Sequence, residues 1–487
     1  MNHYEKSFVV GSLFVFLVSL ATASPMVVHA GGMGGGMDGA PCVYLLVNST
    51  IYPPLKPYLE RWVDDVELEG FNVLLRVVDD GDVQEIRRLL RETPNLVGAL
   101  LVGELPTPWF EAQELWDEYA TYTNYPCPLY YMDLDGEWGD RNGNGLLDSH
   151  DGDVKPEIWI GILKPPADPL DEQVELLKEY FNRNHLYRVG GYALPNRAIL
   201  YVDDEFINDS GYESQAMAEA FSDITAVTEP EDTNAEDYIQ RISQGWCLIQ
   251  VDAHGDPHHQ LFHSSGWSRI SSEDIQRANP KASFFVIYSC SSGRYTEPDY
   301  IAGWYVFSDY GLAAVASTKD WAGLLMAEEF YRHLNQSVGE AVLRWTKCVA
   351  VRMEPKYYHG IVIIGDPLLR LVEMGVDTDG DALTDVYEMN VGLNPNSRDT
   401  DGDGISDYKE ALSAELPKTQ MNSTSGETQW PQVFLPIHYT LMFFGIATLL
   451  ITATPLIFFS SQERHPWRKR HTTRSKLGYN FPSFENP

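Results

Sequence analysis

Two apolar runs in this chain each end on a side chain suited to acyl-transfer chemistry. Cys247-Leu248-Ile249-Gln250-Val251-Asp252-Ala253 leads to His254-Gly255, and Ser283-Phe284-Phe285-Val286-Ile287-Tyr288-Ser289 leads to Cys290. An imidazole within reach of a thiol takes its proton, and the resulting thiolate attacks a carbonyl carbon. Gly255 has no Cβ, so its N–H can come close to a substrate. Together with the Cys290 N–H it would form an oxyanion hole for the tetrahedral intermediate.

Such chemistry needs elements that bring the two runs together. If both are neighbouring parallel strands of an α/β sheet, their carboxyl ends share the rim where such sheets carry their ligands. The rest of the chain supports a βαβ rhythm. Val43 to Val47, Phe71 to Val78 and Leu96 to Val102 read as strands, and Val83 to Arg91 has apolar positions at helical spacing. The alternation resumes with a strand over Glu157 to Leu163 and a long helix around Leu170 to Tyr187. Strands follow at Ala198 to Val202, Trp246 to Ala253, Phe284 to Ser289 and Leu312 to Ser317. Strands that are apolar nearly throughout predict a sheet covered on both faces. Ala40 to Met374 is long for one core, so two packed α/β subdomains are expected, meeting near Pro165.

Composition bounds the compartment and the partners. A polar start, an apolar stretch from Phe8 to Ala21 and small residues at Ala21-Thr22-Ala23 and Val28-His29-Ala30 read as a secretory signal. Leu435 to Phe459 is a run of 25 residues without Asp, Glu, Lys or Arg, long enough to cross a bilayer with some tilt. Arg464, Arg468, Lys469, Arg470, Arg474 and Lys476 follow it, which predicts a cytoplasmic tail and an extracellular body. From Ser460 onward six Lys/Arg stand against Glu463 and Glu485, a net +4, so the chain's −35 leaves −39 on everything before it. So acidic a body excludes nucleic acid as a partner and suits cations. The five cysteines, Cys42, Cys127, Cys247, Cys290 and Cys348, are an odd number for an exported protein and leave at least one outside any disulfide, expected to be Cys290.

Three acidic loops carry oxygen ligands at the spacing of a calcium loop, with a backbone carbonyl at the seventh position and glycines in the turn. The first uses Asp377, Asp379, Asp381, Leu383, Asp385 and Glu388, and the second Asp399, Asp401, Asp403, Ile405, Asp407 and Glu410. The third, inside the body, uses Asp140, Asn142, Asn144, Leu146, Asp148 and Asp151, with two carboxylates replaced by amides. The first two, linked by Asn394-Pro395, resemble calcium-binding repeats of the thrombospondin type-3 class. Structural Ca²⁺ is the expected cofactor.

Four segments in order carry a wider resemblance: Ala253-His254-Gly255, Tyr288 to Tyr295, Gly311 to Thr318, and Gly365-Asp366-Pro367-Leu368-Leu369-Arg370. From roughly Val43 to Val372, most clearly from Ala198 onward, the chain resembles the gingipain-type cysteine peptidases. The resemblance implies a caspase-like three-layer fold, Cys290 as nucleophile and His254 as general base and later acid. It also implies an acidic partner for the imidazole just after the strand Ala198 to Val202. Asp204 fits best, with Asp203 and Glu205 adjoining. Trp321 resembles the family's aromatic wall over the residue preceding the cut bond. The family's specificity acid has no clear counterpart, Gln215, Glu213 and Asp209 lying near the expected position. His258, His259 and His263 lack the spacing of a zinc site and read as a polar loop flanking the active site.

The expected organisation is a signal peptide over 1–30, a Gly-rich linker over 31–41 and an N-terminal α/β subdomain over 42–165. A catalytic subdomain over 166–374, calcium repeats over 375–412 and a stalk over 413–434 follow. A membrane span over 435–459 and a basic tail over 460–487 complete it. The expected function is a membrane-anchored extracellular cysteine endopeptidase acting on protein or peptide substrates and stabilised by calcium. The alternative is a catalytically inactive cell-surface binding protein of the same fold.

Overall fold

The computed structural model describes residues 39–413, except 80, 117–118, 204–205, 208–209, 265, 321–322 and 372–374. The signal, stalk, span and tail expected from the sequence therefore lie outside the described residues. Among the described residues, no helix is long and apolar enough to cross a membrane.

One ten-stranded sheet organises the chain. In chain order its strands are β1 (Cys42–Asn48), β2 (Asn72–Val78), β3 (Leu96–Val102), β4 (Trp159–Leu163) and β5 (Ala198–Val202). They continue with β6 (Ile224–Val227), β7 (Trp246–Asp252), β8 (Ala282–Tyr288), β9 (Ala313–Ser317) and β10 (Ile361–Gly365). Their spatial order is β6-β5-β7-β8-β9-β10-β4-β3-β1-β2. Every neighbouring pair is parallel except β9 and β10, so two parallel blocks of opposite direction meet at that junction. The two subdomains expected to meet near Pro165 thus share a single sheet, because β10 pairs β9 on one side and β4 on the other.

The strands are rich in Val, Ile, Leu and Ala, and the inner ones are buried almost throughout, as a sheet covered on both faces requires, while the edge strands β2 and β6 are partly exposed. Covering helices include Tyr52–Leu68, Val83–Glu92, Leu170–Arg188, Ala235–Ile242 and Val338–Ala350. Tyr52–Leu68 begins with Pro53 and Pro54, where a helix needs no backbone donor, and sends Leu55, Leu59, Trp62 and Val66 into the core. A hairpin, Trp109–Trp116 with Tyr119–Pro126, and a three-stranded sheet, His254–Asp256, His259–Phe262 and Ser268–Ser271, stand apart from the main sheet.

Asp366 ties the layers together and explains the Gly365-Asp366-Pro367 segment without any catalytic role. It is fully buried, and its Oδ2 accepts from Trp62 Nε1 at 2.7 Å, Asn184 Nδ2 at 2.9 Å and Arg188 Nη2 at 2.6 Å. Its backbone N–H donates to the Tyr180 hydroxyl at 2.8 Å. One carboxylate at the end of the last strand thereby fixes helices Tyr52–Leu68 and Leu170–Arg188 to the sheet.

Candidate active site

β7 and β8 are adjacent and parallel, with Asp252 opposite Tyr288, so the segments that follow them leave the sheet at one rim. The Ala253 N–H donates to the Tyr288 carbonyl at 3.1 Å, and the Ser289 hydroxyl donates to the His254 carbonyl at 3.2 Å. His254 and Cys290, 36 positions apart in the chain, follow directly on these two contacts, and both are partly exposed. The close approach explains Gly255. A Cβ there would stand 2.1 Å from Ser289 Oγ and 2.6 Å from the His259 carbonyl oxygen.

Local geometry holds each segment. After His254-Gly255 the chain turns into the hairpin His254–Asp256 with His259–Phe262, whose tip is bound by Asp256 Oδ1 accepting from the His258 and His259 N–H groups at 2.8 and 3.0 Å. That tip reaches the loop following Cys290, since the Ile301 N–H donates to the Pro257 carbonyl at 2.7 Å. Beyond Cys290, Ser291 adopts the left-handed φ of +54°, uncommon for a residue with a side chain. Its N–H donates to the Lys319 carbonyl at 3.0 Å and its hydroxyl to Asp320 Oδ1 at 2.7 Å, so the segment after β9 holds the turn.

The His254 ring lies in an aromatic row. Phe206 is 5.4 Å away and contacts Tyr288 at the same distance, while His263 stacks on His254 at 4.8 Å with 22° between the planes. His263 in turn packs against Trp267 at 3.7 Å. Of the three histidines His258, His259 and His263, only His263 stacks on His254, while at the hairpin tip His258 turns to the Pro298 carbonyl and His259 to Asp256. Phe206 and Trp267 carried no sequence signal, being single aromatics in polar loops.

The third-residue candidates divide. Asp204, with Glu205, lies outside the described residues. Asp203 is fully buried, but its carboxylate accepts from the His263 N–H at 2.6 Å and from the Ser264 N–H and hydroxyl at 3.3 and 2.6 Å. It therefore anchors the loop carrying His263. Trp321 and Asp209 are also outside the described residues. Glu213 is buried on helix Ser210–Met217 while Gln215 is exposed.

None of the five cysteines is in a disulfide. Burial pushes the Cys127 and Cys247 thiols up to about 12, which leaves them inert at neutral pH.

The acidic loops repeat one hydrogen-bond pattern. Asp377 accepts from the Gly380 and Ala382 N–H groups at 2.7 and 3.0 Å, and Asp399 from Gly402 and Gly404 at 2.6 and 2.8 Å. Asp140 likewise accepts from Gly143 and Gly145 at 2.6 and 2.8 Å. In the first loop the Asp377, Asp379 and Asp381 carboxylates converge within 4.8 Å, as do those of Asp399, Asp401 and Asp403 in the second. Glu388, at the twelfth position, is fully buried with neither carboxylate oxygen hydrogen-bonded. Burial first, then the charges of Asp379, Asp381, Asp385 and Asp377, push its carboxyl up to about 7. Two orphaned buried oxygens beside three converging carboxylates fit a hard divalent cation, which would remove both the repulsion and the desolvation cost. In the third loop Asp151 pairs with Arg141 of the same loop at 2.6 Å. Glu111 of the hairpin faces that loop, accepting from Asn142 and Asn144 Nδ2 at 2.5 and 2.9 Å.

A mixed α/β chain with a large, mostly parallel sheet and a thiol and an imidazole on one rim has the parts of a cysteine hydrolase. The chain belongs to peptidase family C25, whose model matches residues 44–372, and it is a cysteine-type peptidase. Among solved structures it is similar to the Arg-specific cysteine proteinase gingipain R (RGPB), at 13% identity over 70% of this chain and 80% of that one, with a TM-score of 0.49. It is also similar to the complex of Porphyromonas gingivalis RgpB pro- and mature domains, at 14% identity over 69% and 81% of the two chains, with a TM-score of 0.48. No curated protein matches it.

Proposed function

We propose that this peptidase is an endopeptidase that works through a Cys290/His254 dyad. His254 takes the thiol proton, and the thiolate attacks the scissile carbonyl carbon. The oxyanion accepts hydrogen bonds from the Gly255 and Cys290 N–H groups, a kind of interaction typically worth about 3 kcal/mol per donor. The C–N bond then breaks as protonated His254 donates to the leaving amine. Water, activated by neutral His254, hydrolyses the thioester and regenerates the thiol. The single observation that carries this reading is the adjacency of β7 and β8 in parallel register, with His254 and Cys290 on the segments that leave one rim.

The reading includes a family-type acidic partner for His254 at Asp204 and an acyl-side wall at Trp321. It also includes Ca²⁺ held by the Asp377–Glu388 and Asp399–Glu410 loops, with a further cation at the Asp140 loop, as structural support. An extracellular body anchored by the 435–459 stretch completes it.

Digestion of a randomised peptide library tests the dyad. Wild type should cut internal bonds, and Cys290→Ala should cut none. Iodoacetamide should alkylate Cys290 selectively, and His254→Ala should remove that selectivity. Equal alkylation in both proteins would contradict an activated thiolate.

A further inference from the structure

We infer that His263 and exposed Trp267 form the wall of a leaving-group-side subsite that takes an aromatic side chain of the substrate. The inference rests on the dyad reading and adds to it where the departing half of the substrate lies.

Strand order supplies the direction. β5 and β8 flank β7 on opposite sides, so Cys290, leaving β8, and Asp203, leaving β5, start from opposite flanks of His254, although Phe206 a little further on reaches across to Tyr288. Asp203 follows β5 directly, and its buried carboxylate holds the N–H groups of His263 and Ser264. The loop with His263 is thus pinned to the flank of His254 away from the thiol. In the reaction the imidazole donates its proton to the leaving amine, so the substrate chain beyond the cut bond must run past His254 toward that flank.

What it meets there is aromatic. His263 stacks on His254 at 4.8 Å, and Trp267 continues the row 3.7 Å from His263. Trp267 is 80% exposed, the only tryptophan among the large exposed apolar side chains of the described residues, while His263 and Ser264 at the start of its loop are held by the buried Asp203 carboxylate. An indole held open to solvent beside a general acid offers an apolar face with a preset orientation. Aromatic pairing there contributes beyond the area it buries, so a substrate Phe, Tyr or Trp within one or two residues of the cut gains most.

The library digest, scored on the leaving-group side by mass spectrometry, is the test. Wild type should enrich aromatic residues at the first or second position after the cut about fivefold over glycine, the scale of one aromatic pair. Trp267→Ala should bring that enrichment close to unity and Trp267→Phe should keep most of it. In both variants the acyl-side preferences and the rate of Cys290 alkylation should match wild type. Trp267 lies on the surface, so neither change threatens the fold. Retained aromatic enrichment in Trp267→Ala, or an equal loss at acyl-side positions, would overturn the inference while leaving the dyad standing. Absence of any cleavage above Cys290→Ala would bring down the dyad reading and this inference together.

Discussion

Gly255 shows how tightly one residue can be specified. Because a Cβ would collide with Ser289 Oγ and the His259 carbonyl, Gly255→Ala must displace the hydroxyl that holds the His254 carbonyl and strain the hairpin that begins at His254. Overpacking of this kind costs about 1–3 kcal/mol. The expected result is a modest loss of thermal stability with a loss of peptide cleavage of about a hundredfold or more, since small misplacements of reacting groups are costly; a near-normal rate would show that the site tolerates that displacement. His359 makes a different prediction. It is buried against His150, which is bonded in turn to Asp133, and its pKa is held well below the usual histidine value by burial, then by His150 and Lys319. A depressed histidine stabilises the fold above the unfolded-state pKa of about 6.5 and loses that contribution as pH falls. Stability should therefore decline below about pH 6.5, and His359→Gln, which keeps a partner for His150 Nδ1, should flatten that decline in pH-dependent melting curves. At this scale the sequence was legible where chemistry sits at the end of an apolar run, as for His254 and Cys290. It was not legible among adjacent carboxylates, because Asp203 acts on residues 263–264, sixty positions away.

Elements were legible to the degree that their pattern was local. Strands β1 to β5 and β7 to β9 are mostly apolar runs, broken only by single polar residues such as Arg76 and Gln250, and the helices Val83–Glu92 and Leu170–Arg188 have helical spacing. The hairpin Trp109–Pro126 and helix Tyr52–Leu68 escaped because acidic, amide and hydroxyl residues interrupt the first and three prolines the second. β10 escaped for a deeper reason: its five residues pair antiparallel with β9 and parallel with β4, a placement no local period encodes. The element that seals this junction is Asp366 with Arg188, a buried pair whose partners come from 178 positions apart. Asp366→Ala leaves buried Arg188 with Glu69 as its remaining carboxylate and strips buried Trp62 Nε1 and Asn184 Nδ2 of their acceptor, so it should destabilise the protein by about 3–5 kcal/mol in denaturant titration. A cost below about 1 kcal/mol would show the pair to be dispensable.

Across the molecule, the acidic repeats are docked against the sheet's far end. Leu383 bridges to Tyr192, the Ala193 N–H donates to the Ala382 carbonyl at 2.9 Å, and Tyr408 stacks between Tyr192 and Tyr310 at 5.7 and 5.4 Å. Tyr192 in turn meets Ser283, at the start of the strand that ends before Cys290. Calcium should accordingly raise the melting temperature of the whole peptidase, by several degrees when present at about a hundred times its dissociation constant. Glu388→Gln, which removes the buried charge facing the cluster, should abolish most of that shift, and an unchanged shift would assign the effect elsewhere.

The wedge position of β10 has a consequence for how the chain is made. A polypeptide emerging from its amino end presents β1 to β4 and then β5 to β9 long before residues 361–365 exist, so two half-sheets must wait with the bare edges of β4 and β9 open to solvent. Chains halted at residue 355 should stick to one another through those edges, while chains halted at 413 should not. The last short strand is the molecule's clasp, and until it is threaded neither half is safe from its neighbours.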